Sequence, residues 1–181
     1  MATEPRVKLK LTYEDYVCYP DDGRRHEIID GVHYVNPAPS TYHQTVSRRI
    51  QFQLYSQIEL QKRGVVYDAP VDLHLTDHDI VQPDLVVVLD EAMQIITPTK
   101  IKGVPQLVVE IISPSTDRND RVLKKNLFEQ AGVPEYWIAD PLEHTLEQWV
   151  LEGERYVERE HGDEVPLTIL NNVAVNLKEV W

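Results

Sequence analysis

Two apolar runs in the middle of the chain, Asp84–Leu89 (DLVVVL) and Leu107–Ile112 (LVVEII), constrain the fold more than any other feature. Neither alternates polar with apolar residues. A strand that buries one face alternates, because successive side chains point to opposite sides, whereas a strand covered on both faces reads as a continuous apolar run. Both runs are therefore read as central strands with a layer on either side. A third buried strand, PEYWIAD, opens as the second does, with Gly-Val-Pro (GVPQLVVE and GVPEYWIA). In each, glycine ends the preceding segment and proline presets φ before the strand.

The segments between these strands supply the other layers. Ser113-Pro114-Ser115-Thr116-Asp117 breaks the second run and offers caps for a helix from about Asn119 to Ala131, stopped by Gly132. Leu123, Leu127 and Ala131 mark its buried stripe, with Phe128 beside it. Upstream, Thr12 and Asp15 open a short helix, and Asp30-Gly31 is the two-residue turn of a hairpin. From Ser40 or Thr41 an amphipathic helix runs to near Gly64, with Tyr42, Val46, Ile50, Leu54 and Ile58 every four residues. VVYDAPVDLHL reads as a strand in which Pro70 marks an edge or bulge. The expected class is α/β (α+β), one mixed sheet flanked by helices. With no linker visible, residues 1–181 are read as a single domain, a length that builds a core without staples.

Composition narrows the partners. No apolar run approaches the roughly 20 residues that span a bilayer, and MATEPRVKLKLTYEDY lacks the apolar stretch of a leader. Cys18 stands alone, which excludes an internal disulfide and a thiolate zinc cluster. The expectation is a cytoplasmic protein without a membrane partner. The net charge of −12 argues against binding nucleic acid through bulk electrostatics. It leaves room for an enzyme acting on phosphates, since a carboxylate-bound metal reverses the local potential.

The chemistry sits on the two strands. Asp84 opens one and Glu110 lies inside the other, where an unpaired ionised carboxylate is costly to bury. From adjacent strands they can converge on one cation, with the backbone oxygen of Ile111 nearby. Such hard oxygen donors suit Mg²⁺ or Mn²⁺. Without a cation two such carboxylates repel, so Asp84→Asn is expected to leave the metal-free fold at least as stable. Ile112 lies on the same side of its strand as Glu110 and puts isoleucine where many metal-dependent nucleases carry lysine. On the following helix Lys124 adjoins the buried stripe and can fold back over that place, although an ordinary solvated lysine fits the same pattern. DLHLTDHD looks like a metal-rich loop, yet its composition suits an exposed turn equally.

QPDLVVVL, LVVEIISPST and DRVLKKNLFEQAGVPEYWIADP, with HEIIDGVHYVNPAPSTYHQTVSRRI upstream, resemble the Uma-type restriction endonuclease family of the PD-(D/E)XK nuclease superfamily. The resemblance runs from about Leu11 to Trp149. It implies a restriction-endonuclease-like fold, with Asp84 and Glu110 as the acidic pair and the lysine displaced from the strand onto Lys124. It also places Glu27 and His43 in the same pocket. Gln82 is a further candidate for lining that pocket. Arg121 is one for meeting phosphate, with Asp117 as its alternative partner.

The resulting expectation is Mg²⁺- or Mn²⁺-dependent hydrolysis of DNA phosphodiester bonds by a homodimer, since cutting both strands calls for two sites. The alternative is a non-catalytic binding or assembly protein on the same fold.

Overall fold

Both apolar runs are adjacent strands at the centre of a six-stranded sheet in the computed structural model, which describes residues 9–181. Residues 1–8, which carry half of the stretch read for a leader, lie outside the described residues. The first half of the chain supplies α1 (Tyr13–Tyr16), β1 (Arg25–Ile29), β2 (Val32–Asn36), α2 (Thr41–Gln57), β3 (Gly64–Asp68), β4 (Leu73–Thr76), β5 (Asp79–Val81) and β6 (Leu85–Leu89). The second supplies β7 (Ile101–Lys102), β8 (Leu107–Ile111), α3 (Lys125–Ala131), β9 (Glu135–Asp140), β10 (Thr145–Glu152), β11 (Arg155–Arg159), β12 (Glu164–Pro166) and β13 (Ala174–Asn176). Among the described residues no helix is long and apolar enough to cross a membrane.

The central sheet has the order β11-β10-β9-β8-β6-β3, and only β8 and β9 run parallel. That pair is joined by the expected helical crossover, because a parallel connection needs a long return path. The sheet is mixed, as the sequence implies, but it is not the only one. A five-stranded sheet, β2-β1-β5-β4-β7, and the pair β12-β13 stand apart from it. The segment VVYDAPVDLHL is divided at Ala69-Pro70, so that β3 edges the central sheet and β4 joins the other. The strands of the second sheet are short and partly polar, unlike the buried central pair.

Each face of the central sheet has its own apolar layer. Leu85, Val87, Leu107 and Val109 pack with Val46, Ile50, Leu54 and Ile58 from α2 and the residue after it. Tyr42, expected in that stripe, is exposed; His43 is buried instead, on the flank facing Asp84. Val86, Val88, Val108 and Ile112 line the opposite face with Leu127 and Phe128 of α3. Asp84 and Glu110 share the strand parity of this second set.

Phe128 is the centre of the α3 stripe rather than its neighbour. It is fully buried against Tyr136, with ring centroids 4.9 Å apart, while Ala131 stays partly exposed. Truncating a buried aromatic removes contact area and leaves a void. Phe128→Ala should therefore cost about 3–5 kcal/mol in chemical denaturation. A loss below about 1 kcal/mol would mean that the packing of α3 does not depend on this ring.

Candidate active site

Antiparallel register sets the first two carboxylates side by side. Leu85 pairs with Val109, so the next rung places Asp84 opposite Glu110 on one face. Both are nearly inaccessible and line a cavity of about 300 Å³ together with Arg25, Asn36, His43, Asp120 and Lys124.

Lys124 reaches this cavity from the crossover. Asn119–Lys124 is wound as a π-helix before α3 continues in α geometry. Such wide turns re-aim side chains and recur at functional sites. Here the turn buries Asp120 and Lys124, four residues apart. The Lys124 Nζ lies 2.8 Å from Glu110 Oε1, 2.8 Å from Glu27 Oε1 and 3.6 Å from Asp120 Oδ1. Ile112 joins the apolar layer beside it. Lys125 turns elsewhere, its Nζ 2.9 Å from the centre of the Trp149 ring.

Glu27 is held on β1 by Asn36 Nδ2, which donates to Oε2 at 2.7 Å, and by the Gln82 amide, which donates to Oε1 at 2.8 Å. It does not pair with Arg24 or Arg25, its basic neighbours along the chain. Arg24 lies 3.7 Å from Asp22, and Arg25 donates to Asp84 Oδ1 at 2.7 Å. His43 sits in the first turn of α2, where Ser40 caps its amide. Its Nε2 is 3.1 Å from Asp84 Oδ2, and its buried Nδ1 has no partner among the described residues. The Ile111 amide donates to the same Asp84 oxygen at 2.9 Å.

The structure thus brings together Asp84, Glu110, Lys124, Glu27, His43 and Ile111. Gln82 contributes through its backbone; its side chain turns to Asp72 and Tyr16 and lines an adjoining cavity of about 350 Å³. Arg121 is not among the lining residues. It is engaged by Asp117 at 2.6 Å, Asp140 at 3.2 Å and Glu147, which makes it a clamp on the crossover. The DLHLTDHD segment forms the β4–β5 hairpin, and among the described residues Asp77 is the acidic group near His74, at 3.6 Å.

Three lining residues were not singled out in the sequence. Arg25 shares a strand face with Glu27 by period two, Asn36 faces Arg25 across the hairpin, and Asp120 precedes Lys124 by four residues. Those spacings were the available signals. None says which residues pair across the sheets.

Burial would push Asp84 up, but His43, Arg25 and the Ile111 amide outweigh it and hold its carboxyl down at about 2. Glu110 goes the other way. Burial, reinforced by Asp120, Asp84 and Glu27, raises it well above the usual carboxylate range against the pull of Lys124. Burial likewise raises Asp120 to about 6 despite Lys124 and Thr116. Burial opposes the charge on Lys124, but Glu110, Glu27 and Asp120 overcome it and raise its pKa.

The donor chemistry of these residues, though not their present grouping, is that of a hard divalent cation site. Four buried carboxylates, Glu27, Asp84, Glu110 and Asp120, face only two permanent cations, Arg25 and Lys124. With all four ionised two negative charges are left over, and oxygen donors of this kind suit Mg²⁺ or Mn²⁺. Among the described residues no three His, Cys, Asp or Glu side chains stand grouped to hold a metal ion. Arg25 and His43 engage Asp84, and Lys124 engages Glu110.

The architecture recurs among solved structures. It is similar to a crystal structure from Anabaena variabilis described as "a putative nuclease belonging to DUF820", with a TM-score of 0.78 and 18% identity over 94% of this chain and 97% of that one. At that identity the likeness speaks for the fold alone. The family follows from sequence: residues 13–178 match the profile of Uma2, described as "Putative restriction endonuclease", and the chain belongs to that family. None of the curated proteins matches at a significant level.

Two measurements test the electrostatics. Asp84 is a satisfied carboxylate, so the expectation that Asp84→Asn leaves the metal-free fold unharmed is reversed. Its lowered pKa gives stability that is present above about pH 4 and lost as pH falls through about 2. Asp84→Asn should cost about 2 kcal/mol at pH 7 without metal, and an unchanged denaturation midpoint would refute these contacts. Asp120 has the opposite sign. Its raised pKa gives stability that is full below about pH 4 and lost as pH rises through about 6. Metal-free protein should therefore lose about 1 kcal/mol from this group between pH 5 and 7. Asp120→Asn should flatten that slope in a pH series of melting temperatures; an equally steep slope would assign it to other groups.

Proposed function

We propose that the protein is a divalent-cation-dependent endonuclease that hydrolyses DNA phosphodiester bonds. The observation that carries this reading is the Lys124 ammonium seated between Glu27 and Glu110, in the cavity that Asp84 also lines. Asp84 and Glu110 are the side chains that would hold Mg²⁺ or Mn²⁺, with Ile111 contributing a backbone oxygen. The ion supplies Lewis acidity, which makes water a nucleophile at neutral pH and draws charge from a phosphoryl oxygen.

The chain's own groups perform the rest. Lys124 is held in a fixed direction by two carboxylates and the π turn, so its ammonium meets charge developing on the phosphate without reorganising. Glu27 keeps that lysine charged and is itself fixed by Asn36 and Gln82. His43 orients Asp84 through Nε2 and keeps Nδ1 open for a proton in transit. A two-fold pair of chains gives the two sites that double-strand cutting requires.

Lys124→Ala and Lys125→Ala make the same change in net charge, so general attraction to DNA falls alike in both. In plasmid-cleavage assays with Mg²⁺ or Mn²⁺, Lys124→Ala should lose on the order of 10²-fold or more in rate while Lys125→Ala retains it. Circular dichroism confirms that each variant is folded. Equal rates would remove Lys124 from the mechanism. The net charge of −12 favours the rival, a non-catalytic protein on this fold. Wild-type protein inactive on several DNA forms in both metals would decide for it.

A further inference from the structure

The cavity that holds Asp84 and Lys124 adjoins the second one, of about 350 Å³, and five residues line both: Arg25, Pro37, Ala38, Pro39 and Asp84. Arg25 is the only cation among them. Its side chain is 18% exposed, against 5% for Asp84, so it lies at the seam with a path to solvent. Within the guanidinium only Nη1 is engaged, donating to Asp84 Oδ1 at 2.7 Å and to the Gln82 carbonyl at 3.3 Å. Nε and Nη2 have no protein partner among the described residues. Those two nitrogens form the side-on fork that matches two oxygens of a phosphate or carboxylate.

The other partners of Asp84 are fixed. Oδ2 is held by the Ile111 amide in β8 and lies beside His43, itself buried in α2. Oδ1 is held by Arg25, a long and partly exposed side chain. Oδ1 is therefore the oxygen that a divalent ion can take at least cost, and taking it releases the guanidinium. With the ion in place the cavity's charges balance without the Arg25–Asp84 contact, and the released guanidinium stands at the junction of two cavities, where an incoming phosphodiester is the anion to meet it.

Resting on the nuclease reading above, we propose that Arg25 is an exchangeable cation and a phosphate-positioning residue. It neutralises Asp84 until a divalent ion does so, and then binds a phosphate oxygen pair of the nucleic-acid strand at the seam between the cavities. The Pro37-Ala38-Pro39 segment is the shared wall along which that strand passes.

Calorimetric titration of Mn²⁺ into metal-free wild type, Arg25→Met, Arg25→Lys and Asp84→Asn tests the first half. Arg25→Met should bind Mn²⁺ on the order of tenfold more tightly, because no guanidinium competes for Oδ1. Arg25→Lys should stay near wild type, and Asp84→Asn should lose binding. Duplex oligonucleotide binding in Ca²⁺, followed by anisotropy across a salt series, tests the second half. Arg25→Met should bind more weakly, with the slope of log K against log[salt] reduced by about one. Arg25→Lys should keep the slope but bind more weakly than wild type, since a point charge cannot form the fork. It also serves if the methionine variant fails to fold. Unchanged Mn²⁺ affinity in folded Arg25→Met overturns the exchange, and an unchanged slope overturns the phosphate contact. Wild-type DNA binding in Arg25→Lys overturns the fork. Wild type that takes up no Mn²⁺, or the same amount as Asp84→Asn, defeats the metal reading itself and this inference with it.

Discussion

An ammonium with almost no contact with water, set between the carboxylates of Glu27 and Glu110, is the interaction on which the rest of the site depends. Moving any one of these charges into the interior alone costs several kcal/mol. Together they are tolerable, because each is the solvent of the others and both oxygens of Glu27 also accept from amides, those of Asn36 and Gln82. The arrangement draws on three separate pieces of chain: the β1 hairpin, the central strand β8 and the π turn of the crossover. None of these can move independently without leaving a bare charge in an apolar layer. Local geometry at the cavity is thus enforced by the fold.

Strong overall acidity and a phosphate substrate are compatible once charge is divided by location. Most of the acidic excess is exposed, where water and salt screen it over about a Debye length. Inside the cavity the excess is two charges, unscreened, and it is expressed as raised pKa values on Glu110 and Asp120 rather than as a diffuse field. An excess of this kind, confined to a small volume, favours a small divalent ion over a large monovalent one. Under the proposed function, affinity for a nucleic-acid backbone comes from the bound ion with Lys124 and Arg25, not from a basic surface.

Much of this was legible in the residues. The continuous apolar runs gave the central strands to within a residue at their ends, Asp30-Gly31 marked a real hairpin, and Gly132 caps α3 in the left-handed conformation with φ of 81°. Period-two parity put Ile112 beside Glu110, and the vacancy it leaves pointed to the helix. What the sequence did not carry was pairing at long range. Arg25 and Asp84 are 59 residues apart. Only the contact between the two sheets decides that Arg25 meets Asp84 while Glu27 meets Lys124. Nor does the sequence announce the π turn. Asn119–Lys124 contains no glycine or proline to mark an irregular winding, and the turn shows itself only through the two charged residues it buries.

With its ammonium carried by the crossover and not by the strand, the cavity is mechanically coupled to the seating of a helix. A lysine at position 112 would be fixed by the ladder of the central sheet, through the amide that donates to the Ala139 carbonyl. At position 124 it is fixed by the seating of the crossover, through Phe128 and Leu127 in the apolar layer and the Tyr136 hydroxyl, which donates to the Asp120 carbonyl at 3.1 Å. Arg121 adds a second clamp by joining Asp117, Asp140 and Glu147. The position of the ammonium therefore varies with the packing of α3, and the coupling runs both ways. Strain in the helix shifts the lysine, and a change of charge among Glu27, Glu110 and Asp120 alters how firmly the helix is held. In this fold the acidic pair belongs to the sheet and the cation to the crossover, so the geometry of the cavity depends on the interface between two layers.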